Sequence, residues 1–219
     1  MSARFVPALF AMAVAGCAGK SSPGGGSPVR PLPVHEAMQR IEDPLAGAAR
    51  IRVAVRLVRS GEDQAKAEWT GWLPLDGKAV VATDTDEQGL GELQMVVEMI
   101  RPRALLEDVL SARPYRWVKE DGIHRGTVDS GGYVSVRFDD RKRISFVRTN
   151  APGRPAALDL RYEGKSGWIS EIDVHDEGMD LGMRWTRREG TLFDLDVGAA
   201  TDDAAGEIHV RVLEIEKPP

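Results

Sequence analysis

The sequence predicts a mainly β fold, an antiparallel half-open barrel or strongly bent sheet with one N-terminal and one central helix. Three observations predict it. After residue 50, apolar and polar residues alternate in run after run, the period of a half-buried strand. Short clusters of Gly, Asp and Ser separate the runs, as turns do between hairpin strands. Within the body of the chain only the stretch that opens at Pro102 spaces its apolar residues as a helix does.

Taken in order, residues 35–43 read as a helix, with Met38, Ile41 and Leu45 near helical spacing and Pro44 ending it. Ile51, Val53, Val55 and Leu57 alternate with Arg50, Arg52, Ala54 and Arg56 in a first strand, whose Arg face reads as solvated. Residues 61–63 turn the chain, and residues 66–73 return as a strand carrying Trp69 and Trp72. Asp76-Gly77 is a hairpin signal. Residues 78–84 then run back, residues 87–91 form a loop, and residues 93–100 read as a further apolar strand. Pro102 suits the first turn of the central helix, whose stripe is Leu105, Leu106, Val109 and Leu110 and whose end is Pro114. Strands follow at residues 123–128 and 133–138, around Ser130-Gly131-Gly132, then at 144–148, 158–163 and 168–175. Met179, Leu181, Met183 and Trp185 alternate cleanly with Asp180, Gly182, Arg184 and Thr186. Phe193, Leu195 and Val197 continue the pattern, residues 201–205 form a polar loop, and Ile208, Val210 and Val212 close it. The tally of roughly ten strands with short turns is that of a barrel or bent sheet.

The chain begins differently. Arg4 precedes an apolar run over residues 5–14, broken by Pro7, and small residues follow at Ala15 and Gly16. That order is a secretory signal, and the run falls short of the roughly 20 apolar residues that span a bilayer. Directly behind Val14-Ala15-Gly16 stands Cys17, the only cysteine. The motif resembles the lipobox of bacterial lipoproteins. That resemblance implies removal of residues 1–16 and a lipid on Cys17, with the membrane as partner. Ala18 rather than Asp follows the cysteine, which resembles sorting to the outer membrane, facing the periplasm. Two or more acyl chains give stable attachment where one does not. Residues 17–33 are rich in Gly, Ser and Pro and read as a flexible tether, which leaves residues 34–219 as a single β-barrel-like domain.

The formal charge of −5, or −6 once Arg4 is removed, gives no reason to expect nucleic-acid binding. With Cys17 committed to lipid, no thiol remains for a disulfide, a metal or a nucleophile. The chain lacks a Gly-x-Ser-x-Gly elbow, and Gly89-Leu90-Gly91 lacks the third glycine of a dinucleotide loop. Asp173 and His175 share a strand face beside Asp176 and Glu177, but His35, His124 and His209 have no ligand-like spacing to them. A polar strand end is the reading there. No catalytic residue, metal or cofactor is expected, and the chain does not read as an enzyme.

What remains is apolar. Met179, Leu181, Met183 and Trp185 face inward, with Trp69 or Trp72 and the helix from Leu105 to Leu110, Val109 included, as neighbours. Methionine adapts to irregular or lipid-shaped space, and an ordinary packed core uses the same residues. The segment Gly89-Leu90-Gly91-Glu92-Leu93-Gln94-Met95, and the late strand ending at Trp185, resemble the carriers and receptors of the Lol system. Those are half-open β-barrels closed by helices, with an apolar interior for acyl chains. The resemblance implies lipid or acylated lipoprotein as cargo and Leu90 as a membrane or cargo contact. Here the central helical segment is shorter, and residues 186–219 extend beyond the family's pattern. A different class fits the residues too: a tethered β-domain with a solid core, serving as a structural, protein-binding or polysaccharide-binding module.

Since no other thiol exists, Cys17→Ser is expected to abolish labelling by a fatty-acid analogue and to release the protein from membranes. Persistent membrane attachment of that variant would sink the lipid anchor.

Overall fold

The computed structural model describes residues 32–59, 66–75, 93, 96, 97, 99–111, 115–128, 132–151, 154–176, 178–201 and 205–218. Helix α1 (Leu32–Arg40) leads into strands β1 (Arg50–Arg59) and β2 (Lys66–Pro74), and helix α2 (Pro102–Ser111) precedes the rest. The remaining strands are β3 (Arg116–Glu120), β4 (Ile123–Thr127), β5 (Tyr133–Phe138), β6 (Ile144–Ala151), β7 (Arg154–Tyr162), β8 (Ile169–Asp176), β9 (Met179–Arg187), β10 (Phe193–Thr201) and β11 (Ala205–Glu216).

All eleven strands join one antiparallel sheet in the order β2-β1-β11-β10-β9-β8-β7-β6-β5-β4-β3. Nine consecutive strands form a meander, and the β1–β2 hairpin docks on the last of them. Among the described residues β2 and β3 each have one strand neighbour, so the sheet does not close into a barrel. Register shifts at Arg52/Val53, Arg137/Phe138 and Arg161/Tyr162 add the local bends that bulges bring.

The alternation of side chains gives the sheet an apolar inner face and a polar outer one. Burial follows it strictly in β9, where Met179, Leu181, Met183 and Trp185 are buried and Asp180, Arg184 and Thr186 exposed. The helices supply the other wall of the core. Val34, Ala37 and Met38 of α1, and Leu105, Leu106, Val109 and Leu110 of α2, are buried in one cluster with the inner face.

The N-terminal helix is pinned at its end. An added Cβ at Gly167 would lie 1.9 Å from the Arg40 carbonyl oxygen, so only glycine permits this approach of the β7–β8 loop. The Glu42 N–H donates to the Gly167 carbonyl at 2.9 Å, and the Gly167 N–H returns a bond to Glu42 Oε1 at 3.2 Å. Beyond it, Asp43 is 6% exposed at its side chain and pairs with Arg101 at 2.7 Å, joining the end of α1 to the start of α2.

Three expectations need correction. The expected strand over residues 93–100 is helical where it is described: residues 93, 96, 97 and 99 are helical, and the Ile100 N–H donates to the Val96 carbonyl at 2.9 Å. Leu93, Val96, Met99 and Ile100 are all buried, and their spacing of three and four is the helical period inside a run too apolar to show it plainly. The N-terminal helix spans Leu32–Arg40 rather than residues 35–43, with Pro33 tolerated in its first turn. Strand β3 was not anticipated, since Arg116-Trp117-Val118-Lys119-Glu120 is short and mostly charged. The expected hairpin at residues 76–77, strand at 78–84 and loop at 87–91 lie outside the described residues.

Gly167→Ala is expected to destabilise the fold by about 1–3 kcal/mol, the usual range for forcing atoms into filled space. Gly198→Ala, where an added Cβ meets nothing within 4 Å, should leave the melting temperature nearly unchanged. Thermal melts of the two variants check both.

Candidate functional site: the covered inner face

The inner face gathers most of the residues singled out in the sequence. Met179, Leu181, Met183 and Trp185 of β9 lie in the same buried cluster as Leu105 and Val109 of α2. Trp69 is half-buried and packs against that cluster from β2, near the sheet's edge. Its indole lies across Gly71 on the same strand, where an added Cβ would sit 2.4 Å from the ring. Cys17 and Leu90 lie outside the described residues.

Several inner residues went unremarked in the sequence. Met99, and Met38 which the sequence placed only in the N-terminal helix, are fully buried in one cluster with Met179 and Met183, so four unbranched, polarizable side chains serve this interior. Leu93, Val96, Met99 and Ile100 cover the face together with α2. Their three-and-four spacing was the available signal.

One polar atom stands out among these apolar groups. Trp185 is 2% exposed, and its Nε1–H has no hydrogen-bond partner among the described residues. A buried donor left unpaired costs roughly 1–3 kcal/mol. The neighbouring indole fares better: Trp168 Nε1 donates to the Trp185 carbonyl at 3.4 Å, and its ring meets Phe193 edge-on at 5.6 Å. Arg187 stacks over Trp168 at 4.6 Å while pairing with Glu163 and Glu42, which ties the end of β9 to the turn after α1.

The outer face is an ionic surface. Across the strands, Glu68, Arg56, His209, Asp196, Arg184 and Glu171 stand opposite one another in a single row of mostly alternating charge. His209 meets Asp196 at 2.8 Å, Arg184 meets Glu171 at 3.1 Å, and Arg56 lies 3.9 Å from Glu68. A cleft of about 590 Å³ opens over this region, around Thr70, Thr186, Asp194 and Arg211. Its charges pair with one another, Asp194 with Arg188 and Arg211 and His209 with Asp196.

His175 projects from β8 onto the same outer face. Its hydrogen bond to Asp180 at 2.8 Å, opposed by partial burial and aided by the charges of Asp180, Asp159 and Asp173, raises its pKa above the ordinary 6.5. His124 behaves oppositely: burial, and then the charge of Lys119, lowers it from the same value. Its ring packs edge-on against Phe138 at 5.4 Å, a structural setting. Among the described residues no group of three His, Cys, Asp or Glu side chains is placed to hold a metal ion.

Comparison with protein-family models, with characterised proteins and with solved structures finds no match to this chain.

Met183→Arg would bury an unpaired charge among Met179, Leu181 and Trp185, a loss of about 4 kcal/mol or more. The next residue, Arg184, is exposed and holds only a surface pair with Glu171, so Arg184→Ala should shift stability by less than about 1 kcal/mol. Denaturant unfolding of the two variants checks the contrast, and equal effects would overturn the assignment of faces.

Proposed function

We propose that this chain is a membrane-anchored envelope lipoprotein that binds or transfers acylated cargo, a lipid or a lipoprotein, without covalent chemistry. The observation that carries the reading is the way the core is built. A single open sheet offers one apolar face, and helical segments rather than a second sheet cover it. Helices resting on a sheet make few backbone bonds to it, so they can lift away while the strand ladder stays intact. The methionines of the interior suit acyl chains of irregular shape, because they repack at little energetic cost. The orphan Trp185 Nε1–H is a donor that the ester or amide carbonyl of an acyl group would satisfy. The lipobox at Cys17 and the likeness of the Leu90 segment to the Lol proteins agree with this role.

A second reading has its own support. Leu181, Met183, Trp185, Leu106 and Leu110 are all 3% exposed or less within one continuous cluster. A core filled in that way fits a tethered structural or interaction module with a solid interior.

Native mass spectrometry and organic extraction of the purified Cys17→Ser protein separate the two. Co-purifying phospholipid, or saturable uptake of a fluorescent acyl ester, is expected for a cargo binder. A lipid-free protein that takes up no acyl probe would leave the solid module as the function.

A further inference from the structure

We infer that the outer face of β4, β5 and β6 is a docking surface for an anionic membrane, contacting headgroup phosphates through Arg125, Arg137 and Arg148. The inference stands apart from whatever the inner face holds.

Elsewhere on the sheet most arginines are matched, and Arg52 of β1, which forms no ion pair among the described residues, stands opposite the carboxylate of Glu214. Arg56, Arg161, Arg184, Arg187, Arg188 and Arg211 each reach a carboxylate within 4 Å. Arg125, Arg137 and Arg148 form no ion pair among the described residues, and all three are exposed. Their partners across the strands explain why. Arg125 stands opposite Val118 and Ser135, Arg137 opposite Phe146, and Arg148 opposite Ser135 and Ala157. No carboxylate occupies any of those positions. In a chain of net charge −5, three unneutralised guanidinium groups on adjacent strands form a local inversion of sign.

The arrangement is compact. Val118, Arg125, Ser135 and Arg148 lie in one row across β3 to β6. Strand spacing puts Arg125 and Arg148 on backbones about 10 Å apart, and Arg137 stands two residues, or about 7 Å, along the strand between them. Two of the three rest on aromatic rings: Arg125 lies 5.2 Å over Tyr133, and Arg137 lies 4.8 Å over Phe146. Stacking of this kind holds a guanidinium flat and leaves its N–H fork free, and that fork matches a phosphate oxygen pair.

The identity of the anion follows from what shares the row. Val118 is 49% exposed and is the more exposed of the two large apolar residues that stand out from the described surface. An apolar side chain beside cations and half-buried aromatic rings suits a headgroup interface, where each finds its own layer. It gains nothing against a bare polyanion.

The test uses the full chain carrying Cys17→Ser and sedimentation with vesicles of phosphatidylcholine, alone or with roughly 30% phosphatidylglycerol. Binding is expected to favour the anionic vesicles and to vanish in about 0.5 M NaCl. Replacing Arg125, Arg137 and Arg148 together by Gln should weaken binding by about tenfold or more. Replacing the same three by Lys keeps the charge but loses the stacked fork, so binding should fall between that of the parent and that of the Gln triple. The triple variant Arg56→Gln, Arg184→Gln, Arg211→Gln removes as much charge elsewhere on the face and should bind nearly as the parent does. Four results would overturn the inference: equal binding to neutral vesicles, equal loss in the two Gln triples, a loss in the Lys triple as large as in the Gln triple, or tighter binding to heparin or an oligonucleotide than to the vesicles.

Discussion

Among the described residues eleven strands share one apolar face, and the two end strands of the sheet do not pair. That face must therefore be covered by chain that is not strand. A closed barrel would bury its interior by curling on itself. Here the helical residues between 93 and 111, with α1, do the covering, and about a third of the buried hydrophobic cluster comes from them and the turns beside them. Every other feature of the interior depends on how those segments are held.

They are held at one end by contacts of unusual closeness. Gly167 lets the β7–β8 loop touch the backbone at the end of α1, and two hydrogen bonds with Glu42 lock the approach. Asp43 then reaches Arg101, just before α2. This pair is largely withdrawn from solvent on the Asp43 side, so screening by salt weakens it less than the fully exposed pairs of the outer face. Two adjacent acidic residues thus fasten both covering helices to one corner of the sheet, and Arg187 extends the same junction to the end of β9.

The fold was legible because its energetics are carried by a period of two. Strands such as Met179–Arg187 display that period on both faces, so their limits and phase could be read within a residue or two. It failed where apolar residues crowd. The run from Leu93 to Ile100 has too few polar residues to reveal its period, and its helical character follows from its place over the sheet. It failed again at β3, where only Trp117 and Val118 of five residues favour a strand and pairing with β4 supplies the rest. For the site, the inner face could be read from the alternation, since burial and strand phase are the same fact. The junction at Gly167 and Glu42 could not, because 125 residues separate its partners. Nor could the unneutralised arginines, whose isolation depends on which residues the register sets opposite them.

The same register has a temporal side. Arg50 at the head of β1 is paired with Glu216 at the foot of β11, across 166 residues of sequence. The eight strands from β4 onward each find a neighbour in the strand made just before, through short loops that close quickly. The first hairpin has no such neighbour. It is synthesised early and must wait until the last strand exists before its inner edge is paired. Until then β1 and β2 stand with that edge open, a state prone to mispairing. Strand β11 is therefore the one that ends the hairpin's vulnerability, and completion of the sheet waits on its synthesis.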